Sequence, residues 1–334
     1  MIAVIAGIAG IAGIAARFAP SALDPAGPQA ARIGHLWWLL FWVSTAVFVL
    51  VLAVLFAALA ARRPPEAAVT LNPGPEAERR RFRAVAAATG LTVAVLFGLL
   101  VASVATGREI ASLEAPRALT LEVVGHQWWW EVHYLDPDPS GSFVTANEIH
   151  IPVGKPVLVR AIGRDVIHSL WIPNLHGKRD LIPGRTSVIW LEADRPGLYR
   201  GQCAEFCGYQ HAHMALDVFA DPPDRFAAWV AAQRQSPPPP AGALEQRGQQ
   251  VFLTSACSLC HTVQGSGANG QNAPDLTHVA SRRTLAAGAL PNTRAALAGW
   301  IADPGNAKPG VHMPPTNLHP DDREALLSYL ETLR

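Results

Sequence analysis

One short segment, residues 201–214, concentrates side chains that bind soft metal ions. Thiolate, imidazole and thioether groups together suit copper better than calcium, magnesium or manganese. The segment therefore predicts a copper site. The candidate ligands are Cys203, Cys207, His211 and Met214, with His168 as a further imidazole upstream.

The second thiol points to two metal ions. A mononuclear blue-copper site uses one thiolate, two histidines and a weak axial ligand. With Cys203 and Cys207 both bridging, two copper ions share one electron and their bond lengths change little on reduction. A Cys203–Cys207 disulfide, a structural zinc ion, or His213 in place of His211 are the alternatives. The remaining predicted ligands are His168 and His211, one on each copper, and weakly Met214 and the backbone carbonyl of Glu205.

A second site is predicted near the C-terminus. Cys257 and Cys260 are followed directly by His261, the Cys-x-x-Cys-His pattern of covalent haem c attachment. Three methionines are present in the chain, and Met313 is the one that lies downstream of this motif. We expect Met313 as the sixth iron ligand, with His312 as its competitor, because Met/His ligation raises the haem potential. A thioredoxin-like dithiol is the alternative interpretation.

Two uncharged apolar stretches, residues 36–61 and 84–107, can carry these sites on a membrane. Each exceeds the ~20 residues that a spanning helix needs. A buried core helix is the alternative. Between them lie six arginines, which favour a cytoplasmic hairpin turn and put everything after residue 108 on the periplasmic side of a bacterial cell membrane. Residues 1–20 predict a signal peptide, with a third span as the alternative.

The remaining sequence divides into three further parts. Short β-rich runs at 119–124, 150–153, 157–162, 187–191 and 215–219 predict an antiparallel β-sandwich or barrel. A helical run at 224–234 and four consecutive prolines then form a linker, residues 223–242. Helical patterns at 243–255, 293–302 and 320–333 predict a small α-helical domain. The expected order is a helical hairpin (35–108), a β domain (109–222), the linker and the α domain (243–334).

Four further motifs accompany the copper segment. They are Gly-His-Gln-Trp-Trp-Trp-Glu at 125–131, Asp-Val-Ile-His-Ser at 165–169, Asp-Leu-Ile-Pro-Gly-Arg at 180–185 and Pro-Gly-Leu-Tyr-Arg-Gly-Gln-Cys at 196–203. Together with the copper segment, which looks like a copper A loop, they resemble cytochrome c oxidase subunit 2, and all occur in family order. The resemblance covers residues 35–220 and implies a two-helix anchor and a cupredoxin-like barrel.

The resemblance implies roles for further residues. Trp128 matches the aromatic residue through which electrons arrive in the family; here Trp129 stands at the usual tyrosine position. Simple core packing of the indoles is the alternative. The Glu205 side chain matches a magnesium ligand at the interface with the catalytic subunit. Arg179 and Asp180 match contacts with that subunit, with an exposed ion pair as the alternative.

The C-terminal domain resembles a class I cytochrome c, with Gly248, Phe252 and Tyr329 expected on two crossing helices. The whole order is similar to subunit 2 of caa-type oxidases. It implies a relay from an external cytochrome or upstream respiratory complex to haem c, to the copper pair and to catalytic subunit 1, where oxygen is reduced. This chain alone carries no oxygen chemistry. The proline spacer is expected to hold the donor domain at high effective concentration.

Two other functions share these motifs. One is the copper A subunit of a nitric oxide reductase, and the other is a membrane-tethered copper redox sensor without a catalytic partner. Nucleic acid binding is not expected, because the formal net charge is +1 and such binding needs a clustered basic surface.

Overall fold

The structure, a computed structural model, describes residues 21–61, 74–112 and 119–334. The predicted signal peptide and two of the six arginines, Arg62 and Arg63, lie outside these residues. The described part divides into two units, one formed by residues 31–113 and the other by the segment before residue 31 together with residues 114–334.

The first unit contains two long helices, α1 (Pro28–Ala60) and α2 (Pro75–Ala111). Each contains an apolar stretch long enough to cross a membrane, and neither stretch is covered by protein. Arg32 of α1 donates to the Glu109 carbonyl oxygen of α2. These helices correspond to the two predicted spans.

A β-sandwich begins the second unit. Its two five-stranded sheets have the orders β3-β2-β1-β5-β8 and β4-β10-β9-β6-β7. Pairing is antiparallel except for β1 with β5 and β4 with β10. The strands are β1 Leu119–His126, β2 Trp129–Leu135, β3 Phe143–Ala146, β4 Glu148–Pro152, β5 Val157–Gly163, β6 His168–Trp171, β7 Arg179–Leu181, β8 Ser187–Leu191, β9 Gly197–Cys203 and β10 Ala215–Asp221.

The core of the sandwich follows from side-chain alternation. In β2, Trp130, Val132 and Tyr134 are buried while the residues between them are half-buried, because successive side chains point to opposite faces of a sheet. Helix α3 (Pro223–Gln233) covers one part of this core. Its Trp229 stacks on His150 with ring centroids 4.0 Å apart, so this helix, expected in the linker, packs on the β domain.

The segment before α1 also packs on the sandwich, which the sequence did not predict. The Ala26 amide donates to the Asn174 carbonyl oxygen at 2.7 Å, and the Ala26 carbonyl accepts from the Asp194 amide at 2.7 Å. A side chain at Gly27 would meet the Glu192 carbonyl oxygen at 2.2 Å. Glycine is therefore required where the two backbones approach.

The C-terminal domain is built on two crossing helices, α4 (Ala243–Thr254) and α8 (Pro320–Thr332). Gly248 permits the crossing, because a Cβ there would lie 2.0 Å from the Ala325 carbonyl oxygen. Phe252 and Tyr329 are buried in the same core with ring centroids 6.0 Å apart. The smaller elements are α5 Cys257–Cys260, β11 Thr262–Val263, β12 Ala268–Asn269, β13 Thr284–Leu285, β14 Leu290–Pro291, α6 Arg294–Ala302 and α7 Pro304–Ala307.

The proline segment, residues 237–240, lies along the C-terminal domain. It borders a crevice together with Gln249, Tyr329 and Leu333. Pro237 and Pro240 are half-buried, and the other two prolines are exposed. The segment that joins the two domains therefore rests on the surface of the second one.

Candidate copper and haem sites

Neighbouring strands bring the copper-site candidates together. His168 begins β6 and Cys203 ends β9, and these strands pair with Leu170 opposite Cys203. The loop after Cys203 returns through a 3₁₀ turn at His211–His213 to Met214, whose carbonyl accepts from the Cys203 amide at 2.9 Å. The ends of two paired strands and the loop that follows Cys203 thus supply every predicted copper ligand.

The ligand atoms are arranged as two halves around a sulfur pair. The Cys203 and Cys207 sulfurs lie 3.8 Å apart. His168 Nδ1 is 3.9 Å from the Cys203 sulfur, and His211 Nδ1 is 3.6 Å from the Cys207 sulfur. The weak donors follow the same division: the Met214 sulfur is 3.9 Å from Cys207, and the Glu205 carbonyl oxygen is 3.3 Å from Cys203. This set of thiols, imidazoles and a thioether suits copper.

Asp165 orients the first histidine. Its carboxylate accepts from His168 Nε2 at 2.8 Å, which turns His168 Nδ1 toward the thiols. Burial opposes ionisation of Asp165, but hydrogen bonds from His168 and from the Gln127 and Val166 amides lower its pKa to about 2. A permanently ionised carboxylate that fixes the imidazole is the usual second layer of a metal site.

The thiols are close enough to ease deprotonation. The Cys207 thiol and His168 lower the pKa of Cys203, although burial acts in the opposite direction. The same proximity raises the pKa of Cys207. Cys203 therefore loses its proton readily, whereas Cys207 retains its proton. The thiolate is the form that binds metal.

The haem-site candidates lie at the start of the C-terminal domain. A single helical turn begins at Cys257 and ends at Cys260, and His261 follows directly. His261 Nδ1 donates to the Pro274 carbonyl oxygen at 2.7 Å. This bond fixes the ring and leaves Nε2 as the nitrogen able to bind iron. Burial lowers the pKa of His261, which favours the neutral, ligating form. Met313 is half-buried in the irregular segment before α8.

The three consecutive indoles have different surroundings. Trp130 is fully buried in the sandwich core, and Trp129 stacks on His126 with ring centroids 4.3 Å apart. Trp128 is 4% exposed, and its Nε1 donates to the Cys207 carbonyl oxygen at 3.0 Å. Its ring centroid lies 5.7 Å from that of His312. Trp128 is therefore the indole in contact with both the copper loop and the C-terminal domain.

The residues expected to face other subunits lie near the surface. Glu205 is half-buried and precedes Phe206, which is 75% exposed. Arg179 and Asp180 are exposed on β7 at the edge of its sheet. Asp180 accepts from the Ser169 hydroxyl at 2.8 Å. Within the described residues, only His168, Cys203 and Cys207 form a metal-sized cluster of His, Cys and acidic side chains.

Two contributors escaped the sequence analysis. Asp165 stands three residues before His168, a spacing that could have indicated its orienting role. Lys308 is a buried lysine whose ammonium donates to the Trp128 carbonyl oxygen at 2.9 Å. Nothing in the local sequence around Lys308 indicates this contact, because its acceptor lies in the other domain.

Comparison with known proteins covers both domains. Residues 140–220 match the family model of the cytochrome c oxidase subunit II periplasmic domain, and residues 245–334 match that of cytochrome c. Cytochrome c oxidase subunit 2 of Alkalihalophilus pseudofirmus is 33% identical, over 94% of this chain and 91% of that protein. The chain belongs to the cytochrome c oxidase subunit 2 family.

The chain is also similar to a second oxidase subunit and to a solved periplasmic domain. Cytochrome c oxidase subunit 2 of Bacillus sp. strain PS3 is 31% identical, over 74% of this chain and 73% of that protein. The solved periplasmic domain of subunit II from Bradyrhizobium japonicum is 34% identical, over 36% of this chain and 97% of that one, with a TM-score of 0.34.

Family membership confirms the predicted fold class and general function. The chain is a membrane-anchored subunit of a haem–copper oxidase, with a cupredoxin-like copper A domain and a fused cytochrome c domain of the caa type. Copper A and haem c are the cofactors of these two domains. The nitric oxide reductase and sensor alternatives are not favoured, because the relatives are named as subunits of cytochrome c oxidase.

Proposed function

We propose that this subunit receives electrons at its cytochrome c domain and transmits them by way of Trp128 to a dinuclear copper centre and then to the catalytic subunit. The position of Trp128 carries the proposal. Its indole Nε1 is bonded to the Cys207 carbonyl, and its ring lies 5.7 Å from His312, the neighbour of Met313. A buried indole thus bridges the two candidate redox sites.

The chain's residues hold and shield the cofactors. When bound, haem c and the copper pair supply reversible one-electron transfer. Asp165 fixes one imidazole, and the Pro274 carbonyl fixes another. Burial of Met214 and of both bridging thiols keeps water from the copper ligands. The proposed ligands are, for two copper ions, His168, Cys203, Glu205 through its carbonyl, Cys207, His211 and Met214, and, for haem c, Cys257, Cys260, His261 and Met313.

Subunit contacts and orientation complete the proposal. Arg79, Arg80, Arg81 and Arg83 lie in the first turns of α2, which favours a cytoplasmic hairpin and a periplasmic location for both redox domains. The Glu205 side chain is proposed to share a magnesium ion with catalytic subunit 1, because its carbonyl faces the thiols while its side chain is partly exposed. An external cytochrome or upstream respiratory complex is the proposed donor.

The test is a comparison of the purified intact oxidase with its Cys207→Ser variant. We expect the variant to contain two copper ions fewer per haem c, and to lose a paramagnetic signal in which one electron is split equally by two copper nuclei. A matched Ser187→Ala variant, in a half-buried strand position of the same domain, should keep both. Loss of a single copper, or a signal localised on one nucleus, would contradict the dinuclear site.

A further inference from the structure

Lys308 is a cation buried between the cytochrome c domain and the copper domain. It is 2% exposed. Its ammonium group donates to the Trp128 carbonyl oxygen of the copper domain at 2.9 Å and to the Ala286 carbonyl oxygen of its own domain at 3.0 Å. A buried ammonium is tolerated only where acceptors replace its water. One acceptor belongs to each domain, so Lys308 links the two domains at the backbone of Trp128.

The second acceptor, the Ala286 carbonyl, lies at the tip of the hairpin between β13 and β14, where the backbone is unusual. Ala286 and Ala287 have φ angles of +53° and +56° in the hairpin between β13 and β14. Alanine rarely adopts this left-handed conformation, because its Cβ then lies too close to the following carbonyl oxygen. Here it directs two successive carbonyls outward: Ala286 accepts from Lys308, and Ala287 accepts from the Ala215 amide of β10 at 3.0 Å. The tip is therefore held in this conformation by its contacts at the domain interface.

Charged groups beside the tip add a directional contact. The Arg283 guanidinium donates to both Asp217 oxygens at 2.8 and 2.9 Å, and its amide donates to the Glu148 carboxylate at 2.6 Å. Next to Lys308 in the sequence, the Pro309 carbonyl oxygen accepts from the Gln210 side chain of the copper domain at 2.8 Å. Trp128, whose carbonyl accepts from Lys308, is 4% exposed.

We propose that Lys308 is a positioning residue that holds the cytochrome c domain over Trp128, and that the closed interface denies Trp128 to any second electron-carrying protein. An external carrier then delivers its electron to the fused domain, and Trp128 serves only the internal step. This inference rests on the relay proposed above. The occupant of the Trp128 surface is a segment of the same chain, residues 308–312.

The first experiment measures opening of the interface without using activity. Hydrogen–deuterium exchange of the intact oxidase is followed at the Ala215 amide, whose acceptor lies in the other domain. Lys308→Met keeps the apolar stem and leaves two carbonyls without their donor. We expect exchange at Ala215 to accelerate about 10-fold or more. Amides of α4 and α8, away from the interface, should not change, and Lys308→Arg should restore most of the protection.

The second experiment measures where electrons arrive. In Lys308→Met, internal transfer after flash reduction of the haem should slow at least about 10-fold, while the haem midpoint potential stays that of the wild type. Direct reduction of the copper pair by added soluble cytochrome c should become detectable. Lys155→Met, at an exposed lysine in the β4–β5 turn, is the matched control and should behave as the wild type.

Two outcomes separate this inference from the relay itself. Wild-type exchange at Ala215 together with a wild-type internal rate in Lys308→Met would overturn the positioning role, whatever the metal content. A wild-type oxidase without a dinuclear copper signal would instead overturn the relay. Faster exchange with slower internal transfer, rescued by arginine, supports the inference.

Discussion

Replacing Gly125 by alanine should weaken copper binding without disturbing the strand that carries it. Gly125 lies in β1 beneath the His168 ring. A Cβ there would be 2.9 Å from His168 Cδ2 and 3.0 Å from Cγ, whereas carbon atoms in contact prefer about 3.5–4.0 Å. The imidazole must therefore move by about 0.5 Å or more.

The ring has little freedom to make that movement. His168 is fully buried, its Nε2 is bonded to Asp165 at 2.8 Å, and the Trp130 ring packs against it with centroids 6.2 Å apart. A metal site tolerates errors of about 0.5 Å in its ligands. Loss of ligand orientation typically reduces metal affinity about 10–100-fold, which corresponds to about 1.4–2.8 kcal/mol. We expect a loss of this size in Gly125→Ala.

The assay is copper competition against a chelator in the full-length subunit, with the dinuclear copper signal as readout. Gly197→Ala is the matched control, because a methyl group at this exposed strand position has its nearest neighbour, the Tyr199 ring, at 3.4 Å. The control should bind copper like the wild type. Wild-type affinity in Gly125→Ala would refute the reasoning that the glycine leaves room for a liganding imidazole.

Three further predictions concern stability. Gly248→Ala brings a methyl group into collision with the Ala325 carbonyl and should cost about 1–3 kcal/mol, measured as a lower thermal midpoint of the haem absorbance; an unchanged midpoint would contradict the close crossing. Trp229→Ala should lower the free energy of unfolding, measured in urea, by about 3 kcal/mol. An unchanged value would show that the stack on His150 does not stabilise the domain. Burial raises the pKa of Glu148 to about 7 despite opposing contacts with Arg282 and Arg283. The folded chain therefore binds the Glu148 proton more tightly than the unfolded chain does. Protonation of Glu148 stabilises the fold fully below about pH 4.5, and this stabilisation is lost as the pH rises through 7. Glu148→Gln should remove this part of the slope of stability against pH.

Local sequence patterns predicted much of the fold but missed strands such as β9. The predicted strand at 187–191 matches β8, and the helical run at 243–255 closely matches α4. In β9, Gly197 and Gly201 interrupt the hydrophobic pattern. Gly201 is needed in β9 for a tertiary reason, since a Cβ there would lie 2.5 Å from the Leu216 side chain.

The copper loop and the Cys-x-x-Cys-His motif were visible because their residues are close in sequence and chemically distinctive. The interface was not visible. Lys308 resembles any loop lysine until the fold brings it to the Trp128 carbonyl, 180 residues away. Arg283 likewise has a recognisable role only once the fold places it opposite Asp217 of the copper domain. Contacts between domains depend on two surfaces at once, and no periodicity within either segment encodes them.

The proline segment along the C-terminal domain has a thermodynamic consequence. Fixing an ordinary residue's backbone costs about 1–2 kcal/mol in conformational entropy. Residues 237–240 lose less, since each proline ring already restricts φ before the segment settles beside Tyr329. Docking of the two domains therefore costs less conformational entropy, and the hydrogen bonds between the domains have a smaller penalty to offset. A glycine–serine segment of equal length would reach as far, yet it would favour the undocked ensemble without altering any contact at the interface.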